Sequence, residues 1–317
     1  MPLFEDIDKT ETTVFNAAQW IGCGRVYKDV PHYVCDVLMS LRKIPDTEYK
    51  TYIPSPHISV EAFINLNLPA QSAEIITTRP SDCFSKSPPD EHTYKLLTTR
   101  SIPSKEFLDK LENMMGQAWF DGNVSIKDPR FNGGRDNLPM SALTYWQQMS
   151  KVISMQLKWR RAKEWVRRQA GRAKARGFLA LDGIFTTYGW NTPLARYPSM
   201  TNQILAQLLD NCMLTDDIMF LMIDHLQDRL EEQPDLVTST IITSSLFYAA
   251  IELAAKNNSF DLRVLREVEN LVKQKKRRFV WLAGFINGIH EIALKIDFEQ
   301  KEISYGVFKL VITYNFI

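Results

Sequence analysis

The sequence predicts an α+β fold in which a helical part is followed by a short antiparallel meander of strands. Three observations predict it. From Ser141 to Lys275, apolar residues recur at three-, four- and seven-residue steps. Near Phe279 the period switches to two. Nowhere do strands and helices alternate regularly, which argues against a doubly wound parallel sheet. The 317 residues are 45% hydrophobic and 24% charged, which excludes whole-chain disorder and fibrous classes. With 38 Lys+Arg against 37 Asp+Glu, no global field points toward nucleic acid or membrane.

Three parts are expected: residues 1–140, mixed and Pro-rich; 141–199, a basic helix and linker; and 200–317. The start, MPLFEDIDKTETT, is polar and acidic and lacks the basic and apolar regions of a secretory signal. A nuclear or cytoplasmic, non-secreted protein is expected. A helix fits Tyr33 to Arg42. Residues 51–104 hold seven of the fifteen prolines, with strand-like runs HISVEAFINL, AEIITT and YKLLTTR between them. A helix from Lys105 to Trp119 follows, N-capped by Ser104. FDGNVSIKDPRFNGGRDNLP reads as a turn-rich break. Cys23, Cys35, Cys83 and Cys212 show no CxxC spacing, so the sequence predicts reduced thiols and neither metal nor cofactor.

Residues 151–176 contain ten Lys/Arg and one acid, Glu164. The run predicts a long, largely exposed helix, because so much charge is not buried without matching anions. It is either a nucleic-acid-binding or protein-binding surface or a solvated helix face.

Helical periodicity returns after GWNTPLARYPS. Thr215 is a good N-cap, and Asp216 and Asp217 suit the positive end of the helix that follows. Leu236 to Ala255 is the most apolar window. Its six Ser/Thr and Glu252 favour a buried helix over a membrane span, so no membrane partner is expected. Asp261 to Lys275 reads as a further helix. FVWLAGFIN, residues 279–287, reads as a buried strand, and Ile292, Leu294, Ile296 and Phe298 alternate along a second. Glu299 to Glu302 is a polar turn, and Ile303 and Tyr305 begin a third strand. His290 begins the middle strand, where an imidazole can either reach a cleft or sit on the surface.

The segment from His290 onward resembles the ubiquitin-like-protein-specific cysteine proteases of the SUMO-protease type. His290 is followed at that family's spacing by Asp297, Lys301, Ile303 and Tyr305. Upstream, Met213, Leu214, Thr215, Asp216 and Asp217 precede Ile218, as the family's helix-start motif does. The resemblance covers roughly residues 200–306. It implies a papain-like domain over 200–317, His290 as a catalytic residue, and Met213, Asp216 and Glu291 as substrate-binding residues. It also implies a ubiquitin-like protein, or its conjugates, as partner.

The chain departs from the family where catalysis needs it most. The family's Cys-His-Asp triad couples a thiolate to an imidazole held by a carboxylate. Val307 stands where the family has Asp, and all four cysteines precede His290. Met213 and Glu291 stand where the family has the tryptophans that cover the substrate tail. The last residues, VFKLVITYNFI, are apolar or aromatic at eight of eleven positions, an unusual way for a domain to finish. The expectation is an incomplete protease domain, and a chain that hydrolyses neither peptide nor isopeptide bonds as it stands.

Overall fold

Residues 22–27, 39, 42–91, 93–173, 183–209, 215–275, 277–286 and 290–306 are described in a computed structural model. The chain mixes helices with two small sheets, and its contacts divide it into two units, Met1–Asp210 and Asn211–Ile317. The division falls between Asp210 and Asn211, whereas the sequence placed boundaries after residues 140 and 199.

The first unit holds α1 (Asp46–Tyr52), α2 (Val60–Ile64), β1 (Phe84–Ser85), α3 (Thr93–Thr99), α4 (Lys105–Phe120), β2 (Ser125–Lys127), β3 (Asn137–Pro139), α5 (Ser141–Ala173) and α6 (Gln203–Leu208). Its centre is α5. Tyr145, Met149, Val152, Trp159, Ala162 and Val166 form the apolar stripe that the sequence periodicity marks, and all six are buried. Over residues 151–169 the basic stretch is thus amphipathic rather than largely exposed: most of its charges face solvent while the apolar stripe packs inward. Gln156 donates to the Phe63 and Leu66 carbonyls, both at 2.9 Å, and Arg160 donates to the Ile64 carbonyl at 2.8 Å and 3.0 Å. Lys163, also buried, pairs with Glu61 and holds that carboxyl below its usual range. Lys151, Arg160, Arg161, Arg167 and Arg168 remain exposed.

Two of the strand-like runs between the prolines are helical and one has no strand. In HISVEAFINL, Ser59 caps α2 by accepting from the Ala62 amide at 3.1 Å, and Val60, Phe63 and Ile64 are buried at helical spacing. YKLLTTR lies mostly in α3, where Thr93 and Leu97 bury at i and i+4. AEIITT forms no strand. The expected cap of α4 is present, Ser104 accepting from the Phe107 amide at 3.3 Å. The turn-rich break instead holds β2 and β3, which pair antiparallel with each other, and β2 also pairs antiparallel with β1. A buried Asp128–Arg130 ion pair at 2.6 Å anchors the connection between them. The helix expected at Tyr33 to Arg42 lies almost entirely outside the described residues.

The second unit holds α7 (Asp216–Glu231), α8 (Pro234–Val237), β4 (Thr240–Thr243), α9 (Ser245–Asn257), α10 (Arg263–Lys275), β5 (Phe279–Ile286), β6 (His290–Asp297) and β7 (Glu302–Gly306). β5, β6 and β7 form the expected antiparallel meander. Leu236 to Ala255 is not one helix. It divides into α8, β4 and α9, and β4 adds parallel to β5, making the sheet mixed. β5 is buried on one face only. Val280 and Leu282 pack with Phe247 and Val268 of the helices, while Trp281 is 42% exposed. Gly284 keeps the sheet close to α9, since a Cβ there would lie 2.6 Å from Leu294 Cδ1 and 3.1 Å from the Tyr248 ring. Residues 307–317 lie outside the described residues.

Trp159 is fully buried and its Nε1 donates to the Trp190 carbonyl at 3.1 Å. Trp159→Ala is expected to destabilise the protein by about 3–5 kcal/mol in denaturant titration. Arg161→Gln with Arg168→Gln is expected to change stability by less than about 0.5 kcal/mol per site.

Candidate functional site

His290 and Glu291 are the first two residues of β6, opposite Ile286 and Phe285 of β5. Their side chains lie outside the described residues, as do Met213 and Cys212. Asp216 is exposed in the first turn of α7, after an extended Thr215, as its sequence setting predicts. α7 packs against β4, α8 and α9, and Gln227 donates to the Ile242 carbonyl at 2.8 Å. Asp216 and His290 therefore belong to one unit, on a helix and on a strand of the sheet that the helix borders.

The residues that follow His290 at the family spacing lie on one hairpin. Ile303 stands opposite Ile296 and Tyr305 opposite Leu294. Lys301 takes a left-handed conformation, φ 55°, in the turn that joins the strands. Asp297 is buried and works for that turn. It accepts from the Glu299 and Gln300 amides at 3.1 Å and from Arg278 at 2.9–3.2 Å. Arg278 above all, with the two amides, holds the Asp297 carboxyl below its ordinary value. Asp297 stands seven residues along the strand from His290, about 23 Å at the usual rise, so it cannot orient that imidazole.

The described thiols are Cys23, exposed, and Cys83, buried, both in the first unit. Burial, reinforced by Asp128 and Asp82, pushes the Cys83 thiol up to about 11, so it is protonated at neutral pH. It is a structural thiol rather than a nucleophile. Among the described residues no group of three His, Cys, Asp or Glu is placed to hold a metal ion, and no helix is long and apolar enough to cross a membrane.

A cavity lies elsewhere, in the first unit. It is a groove of about 820 Å³ between α4 and α5, closed by Trp190 and the segment after α1. Its floor is Leu108, Val152, Met155 and Trp190, all buried, and Lys105, Lys151 and Lys158 line it. At one end Glu112 is held by Arg42 and by Gln147. Burial works against the Glu112 charge, but Arg42 and Gln147 outweigh it and keep the carboxyl below its usual range. No local motif announces this groove, because its walls come from segments far apart in the chain.

No family model, curated protein or solved structure matches the chain.

Alkylation by iodoacetamide at neutral pH is expected to modify Cys23 in the native protein and spare Cys83 until it unfolds, read by peptide mass mapping. Asp297→Asn should remove the stability that the depressed carboxyl supplies. That stability is present above the unfolded-state value, near 4, and is lost as pH falls through the folded one. The wild type should thus lose its advantage over the variant in melting temperature as pH drops below about 4.

Proposed function

We propose that residues 211–317 are a domain of the ubiquitin-like-protein protease type that binds a ubiquitin-like protein, with His290 as its catalytic imidazole and no partner thiolate among the described residues of that unit. The observation that carries this reading is the single hairpin on which His290, Asp297, Lys301, Ile303 and Tyr305 fall in family order, downstream of a helix opened by Asp216. Asp216 and Glu291, with Met213, would then meet the substrate, and the papain-like architecture is part of the same proposal. By kinship the activity is that of a cysteine peptidase or isopeptidase. Among its described residues the second unit holds no cysteine, and a lone imidazole moves a proton but forms no acyl intermediate.

The test is twofold. A SUMO-type protein with a thiol-reactive C-terminus is expected to give no His290-dependent adduct by intact mass. The unmodified SUMO-type protein is expected to bind in a calorimetric titration, and Asp216→Lys to weaken it. A stoichiometric adduct that disappears in His290→Ala overturns the inactive assignment, and absence of binding removes the reading altogether.

A second reading, nucleic-acid binding, is favoured by the exposed Arg161, Arg167 and Arg168 on α5. Three phosphate contacts predict that log affinity for random duplex DNA falls with log salt at a slope of about −3. A flat salt profile rejects it.

A further inference from the structure

We propose that the groove between α4 and α5 is a binding site for a phosphate-bearing small molecule of nucleotide size. Its volume, about 820 Å³, lies within the range of small-molecule sites. Its charge is specific. Lys105, Lys151 and Lys158 line it, and none has a carboxylate partner among the described residues. Gln71 bonds both the Pro103 carbonyl, at 3.4 Å, and the Ser150 hydroxyl, at 2.9 Å. That bridge brings the start of α4, with Lys105, beside Lys151. Lys158 follows two turns further along α5, about 10.5 Å away. The positive end of the sixteen-residue α4 adds to the same field.

The acids in the groove do not cancel this charge. Glu112 is already neutralised by Arg42, which leaves Asp109 against three ammonium groups. Lysine ammonium groups act as point charges for phosphate oxygens.

The rest of the groove suits an apolar or planar body with polar edges. Leu108, Val152, Met155 and Trp190 give it a dry floor. Gln148 lines the same space, and its Oε1 is buried without a hydrogen-bond partner among the described residues. A buried acceptor left unsatisfied is costly and uncommon. With the side chain turned into the groove, a ligand N–H donor would satisfy it. Arg161, Arg167 and Arg168 do not line the groove, so this site and the proposed nucleic-acid surface rest on different residues.

The probe is ATP, titrated into the full chain by calorimetry at low ionic strength, with tripolyphosphate and adenosine as separate arms. ATP is expected to bind one to one and more tightly than either fragment. Lys151→Glu with Lys158→Glu should weaken ATP by about tenfold or more. Lys105→Glu, on the other helix, should weaken it independently, so the result does not depend on one variant folding. Gln148→Leu should weaken ATP and leave tripolyphosphate unchanged. Absence of ATP binding overturns the proposal, as does affinity indifferent to both lysine variants.

Discussion

The first unit depends on how α2 ends. A five-residue helix has too few internal hydrogen bonds to stand alone, and its last carbonyls need donors from elsewhere. Gln156 and Arg160 supply them from α5, and Lys163 pairs with Glu61 on the same short helix. With α2 fixed, Phe63 stacks on Trp190 at 4.2 Å between ring centroids, and Trp159 reaches the Trp190 carbonyl. One polar row thus locks a short helix, a long helix and the segment near residue 190 into a common core. Part of the basic character of α5 is spent on this task. Lys163 is buried and Arg160 bonds the Ile64 carbonyl from an exposed position, while Arg161, Arg167 and Arg168 face solvent.

Legibility in the sequence follows the range of the forces involved. α4 could be read because its cap and its stripe are local, and so could the meander, where each strand follows its neighbour after a short turn. β1, β2 and β3 could not, since strands of two or three residues carry no periodic signal. β4 was hidden inside an apolar run that favours a helix by composition. Only its pairing with β5, contributed by residues nearly forty positions later, makes Thr240 to Thr243 a strand. α2 was legible in principle, through Ser59 and the spacing of Val60, Phe63 and Ile64, but the alternation of neighbouring residues obscured it.

The same distinction separates the two sites. The placement of His290 at a strand start and of Asp216 at a helix start follows from adjacent residues. The role of Asp297 does not, because spacing alone suggests a place in a catalytic motif. The structure gives it a turn to cap and Arg278 to hold. The groove of the first unit is further still from local reading. Lys105 and Lys151 line one groove because α4 packs on α5, with Gln71 tying Pro103 to Ser150.

The parallel addition of β4 to the sheet has a kinetic consequence. β5, β6 and β7 close through turns of a few residues, which costs little loop entropy and proceeds on the microsecond scale of hairpins. β4 reaches β5 only across the whole intervening stretch of α9 and α10. Its pairing is the long-range step, the kind of contact that slows assembly of a small domain. Contact order thus makes β4 the strand whose amide protons should be last to gain protection during refolding.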